Sequence, residues 1–272
     1  MRVYIANLGR ENYLWPVCLE RGTIATMDDE DVHPFWLRRD KQGYIDYCMT
    51  KLRTARGIAL RLPSVLRHWP ALAERADTEG WPAARFLAAL ADIELTDRDA
   101  RRIRRHLRQS GLPGGKTLAT LDLKALTGVP PARITALAAG DWVETGANLI
   151  AIGTPGAGKT HVLCAIGHAV VEAGKRVLYT RTTDMVQRLQ AARRDLALET
   201  TLAKLDRIDL IILDDITYAQ KDQAESSVLF ELIARRYETR SLAIAANQPF
   251  SAWDRVFPDH AMTVAAIDRL VH

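Results

Sequence analysis

The sequence has no hydrophobic run long enough to cross a membrane. Among its 272 residues, no apolar stretch approaches the roughly 18 residues that a membrane-spanning helix needs. The first ten residues, MRVYIANLGR, also lack the apolar stretch of a secretory signal. We therefore exclude the membrane and secreted classes, and we expect a cytoplasmic location and no membrane partner.

Cysteine is scarce as well. The three cysteines, Cys18, Cys48 and Cys164, lie far apart and include no C-x-x-C pair. This spacing excludes a cysteine metal framework, and the odd number argues against a disulfide scaffold. We expect each cysteine to behave as a small buried hydrophobe.

Charge of either sign is in little excess. The formal net charge is +4 at pH 7, and most of the excess lies in residues 57–146, which hold 13 Lys and Arg against 10 Asp and Glu. A local basic cluster can bind phosphate backbones. So small an excess does not by itself identify a nucleic-acid-binding protein.

The residue pattern divides the chain into three segments. Residues 1–56 hold seven of the 18 aromatic residues and two of the three cysteines, which suggests a short α/β extension, possibly a fused fragment, of no recognised family. Residues 57–146 have a helical pattern. Residues 147–272 alternate short apolar runs with helix-length stretches, which predicts an α/β domain with a parallel sheet.

Two helices are predicted in the middle segment. Pro82 suits the first turn of one helix, in which Phe86 and Leu90 recur at helical spacing. Thr96, with Asp99 three residues later, resembles the cap of a second helix. Gly111 is the expected stop signal of that second helix.

Four apolar runs predict the strands of the parallel sheet. They are Asn148–Ile152, Arg176–Thr180, Leu210–Leu213 and Leu242–Ala246. Their short length and the helical stretches between them favour strands that are covered on both faces.

A complete phosphate-binding motif, G-x-x-x-x-G-K-[ST], follows the first predicted strand and opens a predicted helix. Glycines in such a loop let successive backbone N–H groups surround a phosphate, and the positive end of the helix faces the same anion. The lysine reaches the β- and γ-phosphates of ATP, and the threonine hydroxyl binds Mg²⁺. The motif residues are Gly153, Thr154, Pro155, Gly156, Ala157, Gly158, Lys159 and Thr160.

Two adjacent acids end the third predicted strand. The strand Leu210–Leu213 is followed by Asp214 and Asp215, so both carboxylates are expected at the carboxyl edge of the sheet, beside the phosphate loop. Asp214 is predicted to hold Mg²⁺, and Asp215 to orient or deprotonate the attacking water. The alternative is that the two acids only cap a helix.

Two further residues are weaker candidates for catalysis. Asn247 ends the last predicted strand, where its amide can contact the γ-phosphate or the attacking water, although an Asn in a turn is common. Arg269 is a candidate arginine finger, the type of residue that neutralises charge on the transferred phosphoryl group. A lone Arg on a helix is more often solvated.

With these residues identified, residues 57–272 resemble the IstB-like family of transposition helper ATPases, in the AAA+ group close to helicase loaders. The resemblance runs through GTPGAGKTH, LIILDDITYAQKDQAESSVLFELIARRYE, AIAANQPFSAWDRVF and AAIDRLVH. The first of these motifs adds His161 to the expected nucleotide-binding residues.

The resemblance implies an AAA+ α/β fold, with a three-layer parallel sheet in the order 5-1-4-3-2. It also implies that residues 57–146 form an N-terminal helical region that binds DNA or a partner. It implies ATP and Mg²⁺ as cofactors, Asn247 as the sensor of the γ-phosphate, and Arg269 acting on ATP bound to a neighbouring subunit. Assembly into a ring or spiral on duplex DNA and partnership with a transposase are also implied.

A basic run agrees with duplex DNA as a partner. Its five arginines cover a predicted helix surface and suit contacts with the phosphate backbone without sequence readout. The alternative is an ordinary solvated helix face. The run comprises Arg101, Arg102, Arg104, Arg105 and Arg108, and Arg193 with Arg194 forms a second, weaker candidate.

The sequence departs from the family pattern at both ends. Residues 1–56 are foreign to it, and the pattern's fifth strand and C-terminal helix are not found before His272. The strand Asn148–Ile152 is therefore expected to be a sheet edge. Three functions remain open, namely a transposition helper, a DnaC-like helicase loader and a truncated remnant that binds nucleotide without hydrolysing it.

Overall fold

The computed structural model describes residues 62–123, 126, 128–217, 221–257 and 259–271. The extension proposed at residues 1–56 lies outside the described residues. The chain divides into two compact units between Asp99 and Ala100. The unit that carries the sheet thus begins well before residue 147, the start of the ATPase core expected from the sequence.

The described part of the first unit is built from helix α1 (Pro63–Thr78) and the beginning of helix α2 (Ala83–Ser110). Its small apolar core contains Trp81 and Phe86. The buried carboxylate of Glu94 accepts hydrogen bonds from the backbone N–H groups of Ser64 and Val65, at 2.9 and 3.2 Å. These bonds satisfy two donors in the first turn of α1, which no helical carbonyl can reach.

Helix α2 is continuous where the sequence analysis predicted two helices. Thr96 and Asp99 lie inside its 28 residues and do not cap a new helix. The physical reason is that the stretch 83–110 contains no Gly or Pro, so nothing interrupts the backbone ladder. The predicted stop is confirmed, because the helix ends at Ser110 and Gly111 adopts a left-handed φ of 69°.

The second unit contains a four-stranded parallel sheet with strand order β1-β4-β3-β2. Its strands are β1 (Leu149–Ile152), β2 (Val177–Arg181), β3 (Leu210–Asp214) and β4 (Ser241–Ala246). Its further helices are α3 (Pro131–Ala139), the single turn α4 (Asp141–Glu144), α5 (Lys159–Glu172), α6 (Thr182–Arg194), α7 (Leu198–Leu205), α8 (Gln223–Arg236) and α9 (His260–Val271), with a 3₁₀ helix at Phe250–Arg255. The four predicted strands and their AAA+ order are confirmed.

Apolar side chains on both faces of the sheet produce three layers. On one face, Leu210 and Ile212 pack with α5, the end of α2 and the α3–α4 region. On the other face, Ile211 and Leu213 pack with α6, α7, α8 and α9. Residues alternate between faces because successive side chains of a strand point in opposite directions.

Strand β1 lies at an edge of the sheet, as predicted. Within the described part of the chain it pairs only with β4. Every residue of β3 and β4 is buried, whereas Ile152 of β1 is 43% exposed. The phosphate-binding motif therefore follows an edge strand.

Candidate nucleotide-binding site

The phosphate-binding loop occupies residues 153–158, between the end of β1 and the start of α5. Gly156 and Gly158 have left-handed φ angles of 82° and 83°. A residue with a β-carbon would be strained in this backbone conformation. The N–H of Gly153 donates to the carbonyl of Ala246 at 3.2 Å, which ties the start of the loop to the last residue of β4. The loop and the amino end of α5 thus form an anion-binding geometry.

The ammonium of Lys159 lies over this loop. Its Nζ donates to the carbonyl oxygens of Gly153 and Thr154, at 2.8 and 2.9 Å. A phosphate held by the loop would offer better acceptors within the reach of the same flexible side chain.

The two predicted metal ligands are adjacent. The hydroxyl of Thr160, in the first turn of α5, donates to Oδ1 of Asp214 at the end of β3, at 2.9 Å. A hydroxyl and a carboxylate oxygen are the hard donors that Mg²⁺ prefers, and Mg²⁺ usually shares its remaining positions with phosphates and water. The residues present therefore fit a magnesium ion bound together with a nucleotide.

Asp214 is closely surrounded. It is 6% exposed, and its Oδ2 accepts a hydrogen bond from the Tyr179 hydroxyl at 2.8 Å. Its backbone carbonyl accepts from the Thr182 hydroxyl, also at 2.8 Å. The sequence analysis missed both partners, because no motif connects β2 with the acid that ends β3.

Asp215 lies beside the predicted sensor. Nδ2 of Asn247 is 3.3 Å from Oδ1 of Asp215, and the Asn247 N–H donates to Thr217 at 3.0 Å. Asp215 has a left-handed φ of 56°, a region that Asp and Asn tolerate better than most residues. The structure thus brings the acid and the amide together at the carboxyl edge of β3 and β4.

The helix-cap alternative for the two acids is excluded by the start of α8. The N-cap of that helix is Asp222, whose side chain accepts from the N–H of Glu225 at 2.7 Å. Glu225 accepts in return from the N–H of Asp222 at 3.1 Å, which completes a capping box. Asp214 and Asp215 precede this cap by several residues and have no capping role.

A segment before β1 lies against the phosphate loop. Nε2 of His161 is 3.1 Å from the hydroxyl of Thr120. A β-carbon on Gly158 would be 3.3 Å from the Leu126 side chain. The sequence analysis assigned residues 117–126 to the helical region and did not associate them with the nucleotide site.

Two further residues near the site have shifted pKa values. Lys221 is 5% exposed, and its ammonium donates to the carbonyl of Ile216 at 2.8 Å, so burial lowers its pKa. Cys164, one turn beyond Thr160 on α5, is free and buried, and burial raises its pKa to about 11. Cys164 is therefore buried, as expected from the sequence.

Arg269 lies on α9, away from the phosphate loop of its own chain. Nδ2 of Asn148 lies 3.4 and 3.3 Å from the carbonyl oxygens of Arg269 and Leu270, which places the end of α9 at the amino end of β1. The phosphate loop follows the other end of that strand. The Arg269 guanidinium donates to the carbonyl of Ala265 and lies 5.2 Å from the ring centre of Phe230.

The arginines of α2 lie at the end of the helix that packs on the sheet. Ile103 and Leu107 face the core, whereas Arg102, Arg104, Arg105 and Arg108 are exposed and Arg101 is half-buried. The five arginines, here called the basic stripe, therefore lie on one continuous helix, and four of them are exposed.

The second pair of candidate arginines is divided. The Arg193 guanidinium donates to Ser227 at 3.2 Å and forms an ion pair with Glu231, so α8 holds it. Arg194 is exposed.

No helix in the described part of the chain is both long and apolar enough to span a membrane.

Comparison with known proteins agrees with the geometry. The family of IstB-like ATP-binding proteins matches residues 55–272. An insertion-sequence ATP-binding protein of Sinorhizobium fredii is 60% identical over 78% of this chain and 72% of its own length. The ATP-binding protein of insertion sequence IS21 from Pseudomonas aeruginosa is 33% identical over 78% of this chain and 80% of its own.

Among solved structures, the DnaC helicase loader aligns with a TM-score of 0.46 and 22% identity, over 52% of this chain and 84% of its own. AMPPCP-bound DnaA from Aquifex aeolicus aligns with a TM-score of 0.49 and 18% identity, over 58% and 49%. The family match covers most of the chain and includes every element of the site described above. The chain therefore belongs to the family of IstB-like ATP-binding proteins.

Proposed function

We propose that this protein is an ATP-dependent, DNA-binding transposition helper that stimulates a partner transposase at target sites. The observation that carries the proposal is the convergence of Lys159, Thr160, Asp214, Asp215 and Asn247 at one edge of the sheet. Two relatives that belong to insertion sequences support the transposition context.

The phosphate loop supplies the binding of ATP. Backbone N–H groups of the loop residues other than Pro155 surround the phosphates, and the ammonium of Lys159 neutralises charge on the β- and γ-phosphates. Thr160 and Asp214 hold Mg²⁺, which when bound offsets charge on the phosphate oxygens. His161, in the first turn of α5, is a further proposed nucleotide-binding residue.

Hydrolysis needs a residue that acts on water. Asp215 has that role, because it follows the proposed metal ligand Asp214 in the chain and its carboxylate lies within hydrogen-bonding distance of Asn247. Asn247 reads the γ-phosphate and holds Asp215 in position. Binding and hydrolysis of ATP can then change the contacts at this edge of the sheet and act as a switch.

Arg269 completes the site of a neighbouring subunit. Strand β1 separates the end of α9 from the phosphate loop of the same chain, and four strand residues span on the order of 13 Å. Arg269 lies at the end of α9 whose backbone contacts Asn148, the residue before β1, and we therefore assign its guanidinium a role in trans. This role requires self-association into a ring or spiral.

Duplex DNA is the proposed macromolecular ligand of the basic stripe on α2. Arg101, Arg102, Arg104, Arg105 and Arg108 contact the phosphate backbone, and Arg194 is a further candidate. Such contacts carry affinity with little sequence specificity.

The test of this function is ATP hydrolysis by the full chain, with and without duplex DNA, beside Lys159→Ala. We expect turnover that rises with DNA and is lost in the variant. ATP binding without turnover in the unchanged protein would contradict the ATPase assignment and favour a nucleotide-binding remnant.

The transposition role needs its own measurement, which is strand transfer by a partner transposase with and without this protein. We expect stimulation that depends on ATP. If the protein instead stimulates the loading of a hexameric helicase and has no effect on the transposase, the result would support a helicase loader.

A further inference from the structure

Tyr179 is a residue of the nucleotide site to which no motif assigns a role. It lies on β2, where Tyr179 pairs with Ile212 and Arg181 pairs with Asp214. Tyr179 lies on the same face of the sheet as its partner Ile212. Asp214 is two residues after Ile212 on β3, so it shares that face, and both side chains point towards α5. The length of the tyrosine side chain then carries its hydroxyl to Oδ2 of Asp214, at 2.8 Å.

Each oxygen of the Asp214 carboxylate has one side-chain donor. Thr160 donates to Oδ1 and Tyr179 donates to Oδ2. Because Asp214 is buried, few water molecules can replace a lost donor to its carboxylate. The two donors therefore decide how the carboxylate is oriented.

The two donors differ in what else they must do. The Thr160 hydroxyl belongs to the phosphate-binding motif and would also serve as a ligand of Mg²⁺. Tyr179 has no second task, so its hydrogen bond can persist when the metal binds. We propose that Tyr179 is a positioning residue, which holds the Asp214 carboxylate so that Oδ1 faces the magnesium site. This inference rests on the proposed nucleotide site.

The Tyr179 hydroxyl is suited to be a constant donor. A tyrosine hydroxyl carries its proton at neutral pH and can donate it to Oδ2 of Asp214. The remainder of the ring packs among apolar residues on the α5 face of the sheet. A phenylalanine would fill the same space and remove only the donor.

The experiment compares Tyr179→Phe with Tyr237→Phe in the full chain. Tyr237 follows α8, and its hydroxyl bonds to Glu238, outside the site, so it is a matched control. Binding of a fluorescent ATP analogue is titrated against Mg²⁺, and binding without metal is measured separately. This readout reports metal binding and does not require hydrolysis.

For Tyr179→Phe we expect the affinity for the ATP analogue without metal to stay within about two-fold of the unchanged protein. A two-fold change in affinity corresponds to a very small difference in binding free energy. The Mg²⁺ concentration for half-maximal enhancement should rise about ten-fold, as for the loss of one hydrogen bond to a charged group. Tyr237→Phe should change neither value. Equal Mg²⁺ dependence in the two variants would overturn the proposal, even with an active ATPase.

A second variant separates positioning from loss of packing. In an Asp214→Ala background no side-chain oxygen remains for Tyr179 to hold, so adding Tyr179→Phe should shift the Mg²⁺ dependence no further. A shift of the same size in that background would show that Tyr179 acts through packing, and would also overturn the proposal. Nucleotide binding without turnover would defeat the proposed ATPase alone, because the Mg²⁺ shift is still measured.

Discussion

At the scale of single residues, Asp215 combines a left-handed backbone with the proposed role of orienting or deprotonating the attacking water. Asn adopts the left-handed region about as readily as Asp, so Asp215→Asn preserves the backbone and removes the charge. We expect this variant to bind ATP as the unchanged protein does and to hydrolyse it about 10²- to 10⁴-fold more slowly, the range typical for loss of a general base. Single-turnover hydrolysis and equilibrium binding, measured side by side, test this.

The matched control for that variant is Asp222→Asn. Asp222 caps α8, and Asn is an equally good N-cap, so neither hydrolysis nor binding should change. Equal rates for Asp215→Asn and the unchanged protein would remove Asp215 from the mechanism.

The residues of the site were predictable from sequence to different degrees. Gly153 to Thr160 and the pair Asp214 and Asp215 belong to short motifs, in which spacing along the chain already implies proximity. Tyr179 and Thr120 reach the site through β2 and the segment before α3. Their contacts depend on strand register and on chain path, which one sequence does not contain.

At the scale of elements, α5 lies unusually close to the sheet at Gly167. A β-carbon there would be 2.7 Å from Cδ1 of Ile212 and 3.0 Å from Cδ2 of Leu112. We expect Gly167→Val to lower the free energy of unfolding by about 1–3 kcal/mol, as for other overpacked cores. Denaturant unfolding measures this change.

The control for that substitution is Gly115→Val. A β-carbon on Gly115 has nothing within 4 Å, and the residue has no positive φ. Its effect should stay within about 0.5 kcal/mol, as for most surface positions. Equal effects of the two substitutions would show that the close approach at Gly167 costs little.

Helix α2 supports a prediction about DNA. Changing the exposed Arg104, Arg105 and Arg108 together to Ala should weaken binding to any duplex sequence. Each lost phosphate contact should reduce the slope of log K against log salt by about 0.9. Fluorescence anisotropy over a range of salt concentrations measures both effects.

The control removes the same charge elsewhere. Arg133, Lys204 and Arg207 are also exposed in the second unit, and changing them to Ala lowers the net charge equally. If both triple variants lose the same affinity, binding depends on net charge and not on a surface of α2.

The elements also show where sequence patterns mislead. The strands were predictable because each is a short apolar run covered on both faces. The break expected at Thr96 was wrong, since a capping pattern does not end a helix that lacks Gly and Pro. Arg193 stays a predicted DNA contact, and the structure adds an ion pair with Glu231 of α8 that no motif indicated.

At the scale of the whole molecule, the opposite placement of Arg269 and the phosphate loop predicts complementation between subunits. Arg269→Ala and Lys159→Ala should each lose hydrolysis, the former by about 10³-fold or more. Mixing the two variants should restore part of the activity, because an intact loop of one subunit then meets an intact arginine of another. Hydrolysis by the mixture, at several ratios, is the measurement.

A chain carrying both substitutions is the control, since it can contribute neither an intact phosphate loop nor an intact arginine. Mixed with Arg269→Ala, it should restore nothing. Full activity of Arg269→Ala alone would remove the arginine from the mechanism, and an inactive mixture of the single variants would contradict its action in trans.

The separation of these two ends by β1 also gives each subunit a direction. Contacts that join the arginine end of one copy to the loop end of the next are head-to-tail, and such contacts close into a ring or continue as a helix. In an open assembly the subunit at one end would have a nucleotide with no arginine beside it. That terminal nucleotide would be hydrolysed last, so an open filament would shorten or release from one end only.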